Sequence, residues 1–353
     1  MAFILRGAVI AAITLILMEV AVRVLAPQPQ LYPRYRSSER FGHVLPASAT
    51  IVAEQPGAWR FVYRTNEYGF RVSMPEVSNR YDAPNVIALG DSFTFGQGVN
   101  DGEEYPARLA KSLGGKAGVV NLGVPGFGLT HQIRAFYEFG VAFQPALVLL
   151  QFTSNDPTDN LYEKVTTVEE GRFRFHRAAS VSGAAASVKD WLSGSLLQRS
   201  AAYNFVRNKA YRAWHARVVA REAGGDSRGR IQAFHNELLG AFARDLRQRG
   251  VPLILFDVPG HLAAWPQIHS HARALEREGL LQVLDSREWF QGVTDFGSPE
   301  GHDWGAKGHR IVAERLAAAV TSKLNDGGSK WISCCRSGGS PASGASTGCC
   351  PSF

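Results

Sequence analysis

Short unbroken apolar runs alternate along this chain with longer stretches in which apolar residues recur every three or four positions. The runs are "NVIALG" (85–90), "AGVVNLG" (117–123), "ALVLLQF" (146–152) and "VPLILFDV" (251–258), with a weaker one at "LLQVLD" (280–285). Continuous apolarity over so few residues fits strands buried on both faces, because a strand with one wet face alternates apolar and polar residues. Between the runs, "RIQAFHNELLGAFARDLRQRG" puts Ile231, Phe234, Leu238, Phe242 and Leu246 on one helical face, and Gly250 stops the helix. Strands and helices in alternation predict an α/β domain over 85–324, three layers deep, with a central parallel sheet. From about 160 to 230 the pattern loosens into a long, partly helical insertion.

The two ends read differently. "GAVIAAITLILM" (7–18) carries no charge and follows Arg6; extended to Leu25 it reaches the roughly 20 residues of a spanning helix. Glu19 and Arg23 then stand one turn apart, where they can pair. Residues 1–26 therefore read as a transmembrane helix or signal anchor, placing the rest outside the cytoplasm, in the periplasm or beyond the cell. A signal peptide cleaved after Ala26 is the alternative, which Pro27 disfavours. Arg34, Arg36 and Arg40 lie on the far side, so flanking charge does not set the orientation. Residues 27–84 read as a linker and a small β-rich element, from "TIVAEQ" and "WRFVYRTNEYGFR". All four cysteines, Cys334, Cys335, Cys349 and Cys350, fall in a Gly/Ser-rich segment, 325–353, that reads as a disordered tail; their spacing matches no zinc pattern.

Composition narrows the function. A 353-residue chain that is 45% hydrophobic can bury one large core. The net charge of +7 points to an anionic partner only if the cations cluster. They are spread, and thickest between Arg199 and Arg249 in helix-patterned sequence, so they read as solvated helix faces with no nucleic-acid partner. With no phosphate loop and no ligand cluster in the body of the chain, neither a cofactor nor a metal is implied.

Loops at the carboxyl ends of parallel strands converge on one crevice. The first carries Asp91 and Ser92 directly after "VIALG", putting a hydroxyl at a strand-to-helix turn; taken alone, a serine there is a helix cap. In "NLGVPGFG", Gly126 offers a backbone N–H without a side chain in the way. In "TSND", Asn155 offers a carboxamide. A serine nucleophile also needs a base, and "SPEGHDWGAKGH" supplies His302 in a loop and His309 at a helix start, the second better placed to cap or pack.

"GDSFTFG", "NLGVPGFG", "TSND" and "EGHDWGAKGH" stand in the order and spacing of the four blocks of the SGNH, or GDSL-type, hydrolases, and the chain resembles that family over roughly 60–320. "YRTNEYGFR" resembles a stretch that precedes the first block in membrane-anchored bacterial members. The resemblance implies a flavodoxin-like fold and an ester-bearing substrate, an acylated glycan or lipid of the cell envelope. It implies Ser92 as nucleophile, His302 as base, and an oxyanion hole made by the Ser92 and Gly126 backbone N–H groups and the Asn155 side chain. Two positions depart from the family pattern. Thr153 replaces a glycine, and Pro299 occupies the usual place of the acid, leaving Glu300 as the candidate, Asp295 and Asp303 as outside candidates, or no carboxylate at all. An O-acetyltransferase on the same fold and a glycan-binding module without turnover are the competing readings.

Overall fold

The computed structural model describes residues 2–72, 84–179, 184–222 and 227–336. Helix α1 (Ala2–Leu25) is followed by five short strands, β1 (Gln30–Tyr32), β2 (Arg36–Ser38), β3 (Gly42–Val44), β4 (Thr50–Gln55) and β5 (Trp59–Arg64). β1, β4 and β5 form an antiparallel sheet, and β2 and β3 form a hairpin. The α/β domain then runs β6 (Asn85–Leu89), α2 (Ser92–Phe95), α3 (Tyr105–Ser112), β7 (Gly118–Asn121), α4 (Leu129–Glu138), β8 (Pro145–Phe152) and α5 (Asp156–Tyr162). An insertion adds the hairpin β9 (Thr166–Glu169) and β10 (Arg172–Phe175), then α6 (Ala184–Gly194) and α7 (Ala201–Glu222). The chain closes with α8 (Ser227–Gln248), β11 (Leu253–Asp257), α9 (Pro266–Arg277), β12 (Gln282–Leu284) and α10 (Ala306–Arg336).

β7, β6, β8, β11 and β12 lie side by side in that order, all parallel, so the five apolar runs are the five strands of one sheet. The chain steps outward from β6 to β7, then crosses back to β8. That reversal opens a crevice at the carboxyl ends of β6 and β8, where a doubly wound sheet holds its ligand. Every residue of β6 is buried, because both faces are covered. Leu129, Ile133 and Phe136 of α4, Leu238 and Phe242 of α8 and Ile268 of α9 pack on one face. Tyr105 and Leu109 of α3 and Val312 and Leu316 of α10 pack on the other. Each such side chain contributes about 1.5–3 kcal/mol of hydrophobic stabilisation.

The N-terminal strands act on the domain through Arg71, whose guanidinium is fully buried. It donates to the carbonyls of Phe95, Gly96 and Val99, at 3.1, 2.5 and 3.0 Å, and pairs with Asp101 and Glu104. The last residue of "YRTNEYGFR" therefore clamps the turn that follows the nucleophile loop.

Helix α1 stands exposed along its length and is long and apolar enough to cross a bilayer, with a mean hydropathy of 2.3 over Phe3–Leu25. Arg23 pairs with Glu19 at 2.7 Å. Glu19 also accepts from the Ser200 hydroxyl and the Ala201 and Ala202 N–H groups, capping α7. The insertion is thus tied to the base of α1. At the other end, α10 continues past Asn325 to Arg336 and includes Cys334 and Cys335, while Cys349 and Cys350 lie outside the described residues.

Candidate active site

Ser92 opens α2 directly after β6. Asp91, 1% exposed, caps the helix by accepting the Phe93 N–H at 3.1 Å. First-turn N–H groups have no acceptor within their own helix, so this end of α2 favours negative charge beside the serine. Gly90 cannot carry a side chain, since a Cβ there would meet Thr94 Oγ1 at 2.1 Å. The tight turn brings the Ser92 hydroxyl to the crevice.

His302 reaches the same point from the far end of the domain. Its Nε2 lies 3.0 Å from Ser92 Oγ, across 210 positions of sequence. The imidazole packs on the Phe93 ring at a centroid distance of 3.9 Å, and the fully buried Trp304 packs on that phenyl ring. The loop is held by bonds from Ser298 N–H to the His302 carbonyl and from the Ser298 hydroxyl to the Gly98 carbonyl. Burial lowers the His302 pKa to about 4, opposed by the charge of Asp303 and the nearby backbone of Trp304. The ring is therefore neutral at neutral pH and able to accept a proton.

The expectation that Glu300 orients this imidazole is not met. Glu300 makes no hydrogen bond or ion pair with His302, and His302 Nδ1 is buried without a hydrogen-bond partner, as is Glu300 Oε1. The cause is the turn between them: Gly301 takes φ +94° and donates to the Ser298 carbonyl, so the chain reverses and the two side chains leave it differently. Burial raises the Glu300 pKa, and the neighbouring Gln97 side chain partly offsets this. Asp295 does not hydrogen-bond the ring either. Asp303 lies 3.7 Å from His261 Nε2 instead. His309 is fully buried and accepts the Tyr105 N–H through Nδ1, a packing role.

Gly126 adopts φ +82°, a conformation that favours glycine, and a Cβ there would lie 3.4 Å from His43 Nε2. Its loop is braced by His43 of the β2–β3 hairpin, whose Nε2 bonds the Pro125 carbonyl at 2.9 Å and whose ring meets Phe127 edge-on. Asn155, at the start of α5, is exposed and aims its carboxamide at two carboxyl groups. Nδ2 lies 2.6 Å from Asp159 Oδ2 and 3.4 Å from Asp91 Oδ2. The bond to Asp159 is short and the one to Asp91 long. Burial pushes the pKa of Asp91 up to about 6 and that of Asp159 to about 7, and raises that of Asp156 well above the carboxylate range, with Asp91 adding repulsion. Thr153 is buried, with its N–H on Asp156 and its hydroxyl accepting from Gln151, so the residue that departs from the family pattern turns inward.

Asp159 and His43 escape a reading of sequence blocks. Asp159 leaves a faint signal, standing four residues after Asn155 at a helix start. His43 leaves none, because its partner lies 82 positions away.

A serine and an imidazole meet at the switch point of a doubly wound parallel sheet, the arrangement a serine hydrolase requires. The family model for the GDSL-like lipase/acylhydrolase family matches residues 88–311; the chain belongs to that family and is a hydrolase of ester bonds. Comparison with curated proteins gives no match. Among solved structures, the chain is similar to a protein assigned to the lipolytic G-D-S-L family from Desulfitobacterium hafniense DCB-2, at 15% identity, TM-score 0.40, over 66% of this chain and 98% of that one. It is also similar to a carbohydrate acetylesterase family member from Sinorhizobium meliloti, at 15% identity, TM-score 0.36, over 69% and 99%. A third similar structure is AlinE4, an SGNH-hydrolase family esterase, at 16% identity, TM-score 0.37, over 69% and 97%.

Proposed function

We propose that this protein is a membrane-anchored serine esterase of the cell envelope, acting outside the cytoplasm on an acyl or acetyl ester of a glycan or lipid. The observation that carries the reading is the 3.0 Å approach of Ser92 Oγ to His302 Nε2. Ser92 attacks the ester carbonyl while His302 Nε2 takes its proton. The oxyanion forms beside the Ser92 and Gly126 N–H groups and the Asn155 carboxamide. His302 returns the proton to the departing alkoxide, leaving an acyl-serine. Water, deprotonated by the same imidazole, then releases the acid.

No carboxylate bonds His302 Nδ1, which supports a Ser–His pair as the working unit of the free enzyme. A sugar hydroxyl taking the place of water in the second step would make the same acyl-enzyme an O-acetyltransferase. The test is hydrolysis of a p-nitrophenyl acyl ester series by the full chain in detergent, beside Ser92→Ala. The expected loss in kcat/KM for Ser92→Ala is at least about 10³-fold. Equal rates for the two proteins favour a glycan-binding module instead.

A further inference from the structure

A cavity of 410 Å³ lies between the N-terminal strands, helix α7 and the catalytic loops. Its volume is that of a small-molecule site. Gln97, Pro125 and Glu300 form one side, and each belongs to a segment of the candidate active site: the nucleophile turn, the Gly126 loop and the His302 loop. Arg34, Arg207 and Arg212 line it as well.

The guanidinium groups of Arg34 and Arg207 have no ion-pair partner among the described residues, and Glu300 across the cavity lies beyond that distance from both. Arg34 is 8% exposed; its Nη2 donates to Asn204 Oδ1 at 3.2 Å, and its Nε is buried with no partner. Arg207 Nη1 donates to the neutral Asn208 Oδ1 at 2.9 Å. Among the described residues, no carboxylate lies within ion-pair distance of either arginine. Burial, followed by repulsion from Arg207, brings the Arg34 pKa down to about 10. A buried charge left unpaired is costly, and a planar carboxylate or phosphate is the group a guanidinium fork accepts best. Tyr35, Trp59 and Tyr211 add aromatic rings to the lining, and Gln30, Gln97 and Asn208 add side-chain amides. Rings that offer apolar faces beside amides that bond hydroxyl groups suit a polyhydroxylated ring.

We propose that this cavity seats an acidic sugar residue of the substrate, a hydroxylated ring whose carboxylate or phosphate lies between Arg34 and Arg207 while its acylated hydroxyl faces Ser92. The orientation toward Ser92 rests on the esterase reading; the anionic subsite does not.

Binding is measured on the full-length Ser92→Ala protein in detergent micelles, by calorimetric titration with methyl glucuronide, glucose 6-phosphate and the neutral methyl glucoside. At least one anionic sugar is expected to bind about tenfold or more tightly than the neutral one, and which of the two does so identifies carboxylate or phosphate as the natural group. Arg207→Gln, on a partly exposed helix face, is expected to lower that affinity at least about tenfold, with Arg207→Lys intermediate. Arg34→Gln is expected to do the same wherever its circular dichroism and melting match the parent. Equal affinity for the three sugars, no binding of any of them at millimolar concentration, or an unchanged affinity in Arg207→Gln overturns the proposal. Because Ser92→Ala needs no turnover to bind, a failed esterase assay and a failed titration are separate results.

Discussion

The chemistry depends on single atoms. A neutral, buried imidazole is a weak base by itself, so the lowered pKa of His302 carries a direct consequence for the pH profile. His302 must be unprotonated to accept the Ser92 proton, and burial holds its pKa near 4 rather than at the usual imidazole value near 6.5. The acid limb of kcat/KM for p-nitrophenyl acetate is therefore expected near pH 4, and Asp303→Asn, which removes the charge favouring the protonated ring, is expected to move it lower. A limb near 6.5 that persists in both Asp91→Asn and Asp159→Asn, which remove the two neighbouring carboxyl groups raised to about 6 and about 7, contradicts the buried geometry. Asp159 accepts from the Asn155 carboxamide at 2.6 Å and is expected to act as its positioning residue. Asn155→Ala is expected to cost about 10²–10³ in kcat. Asp159→Ala is expected to lower kcat by about tenfold with little change in KM, while Asp159→Asn, which keeps an acceptor oxygen on the carboxamide, recovers most of it. Steady-state kinetics on the three variants separate this from a general loss of folding, which would lower the active fraction without that rescue.

At the scale of elements, the sheet and the blocks were legible, and the joints between them were not. The five strands show in the sequence because both their faces are buried, which leaves unbroken apolar runs. Ser92, Gly126 and Asn155 stand out as candidates because each directly follows or closely trails such a run. The orientation of Glu300 does not, since one glycine turn at Gly301 decides where the carboxylate goes. The clamp formed by Arg71 is equally silent: its partners lie on a different element, and the letter alone does not distinguish a buried arginine from a solvated one. Removing it leaves Glu104 buried without its cation. Arg71→Met is expected to destabilise the domain by about 3–5 kcal/mol, read as a lower urea midpoint, and Arg71→Lys is expected to recover little because one ammonium nitrogen cannot reproduce donors spread over Nε, Nη1 and Nη2.

Across the whole molecule, α1 and the catalytic domain are mechanically joined rather than loosely tethered. Glu19 of α1 caps α7, and α7 forms a wall of the cavity beside the candidate active site. The insertion at 160–230, opaque in sequence because its contacts run back to residues 19 and 34, is the part that makes this joint. The full chain is expected to remain with membranes through alkaline carbonate and to require detergent for release. Glu19→Gln, which weakens the acceptor at the α7 start without shortening the helix, is expected to stay membrane-bound while hydrogen exchange at Ala201 and Ala202 rises. Release of the full chain by carbonate contradicts the anchor.

The most direct test of the central claim is covalent. A serine-reactive phosphonate, followed by peptide mass spectrometry, reads whether the hydroxyl beside His302 is the activated nucleophile. One adduct per chain, on Ser92, forming at least about 10³-fold more slowly in His302→Gln, is the predicted result. Labelling at another residue, no labelling of the native protein, or the same rate with and without the imidazole contradicts it.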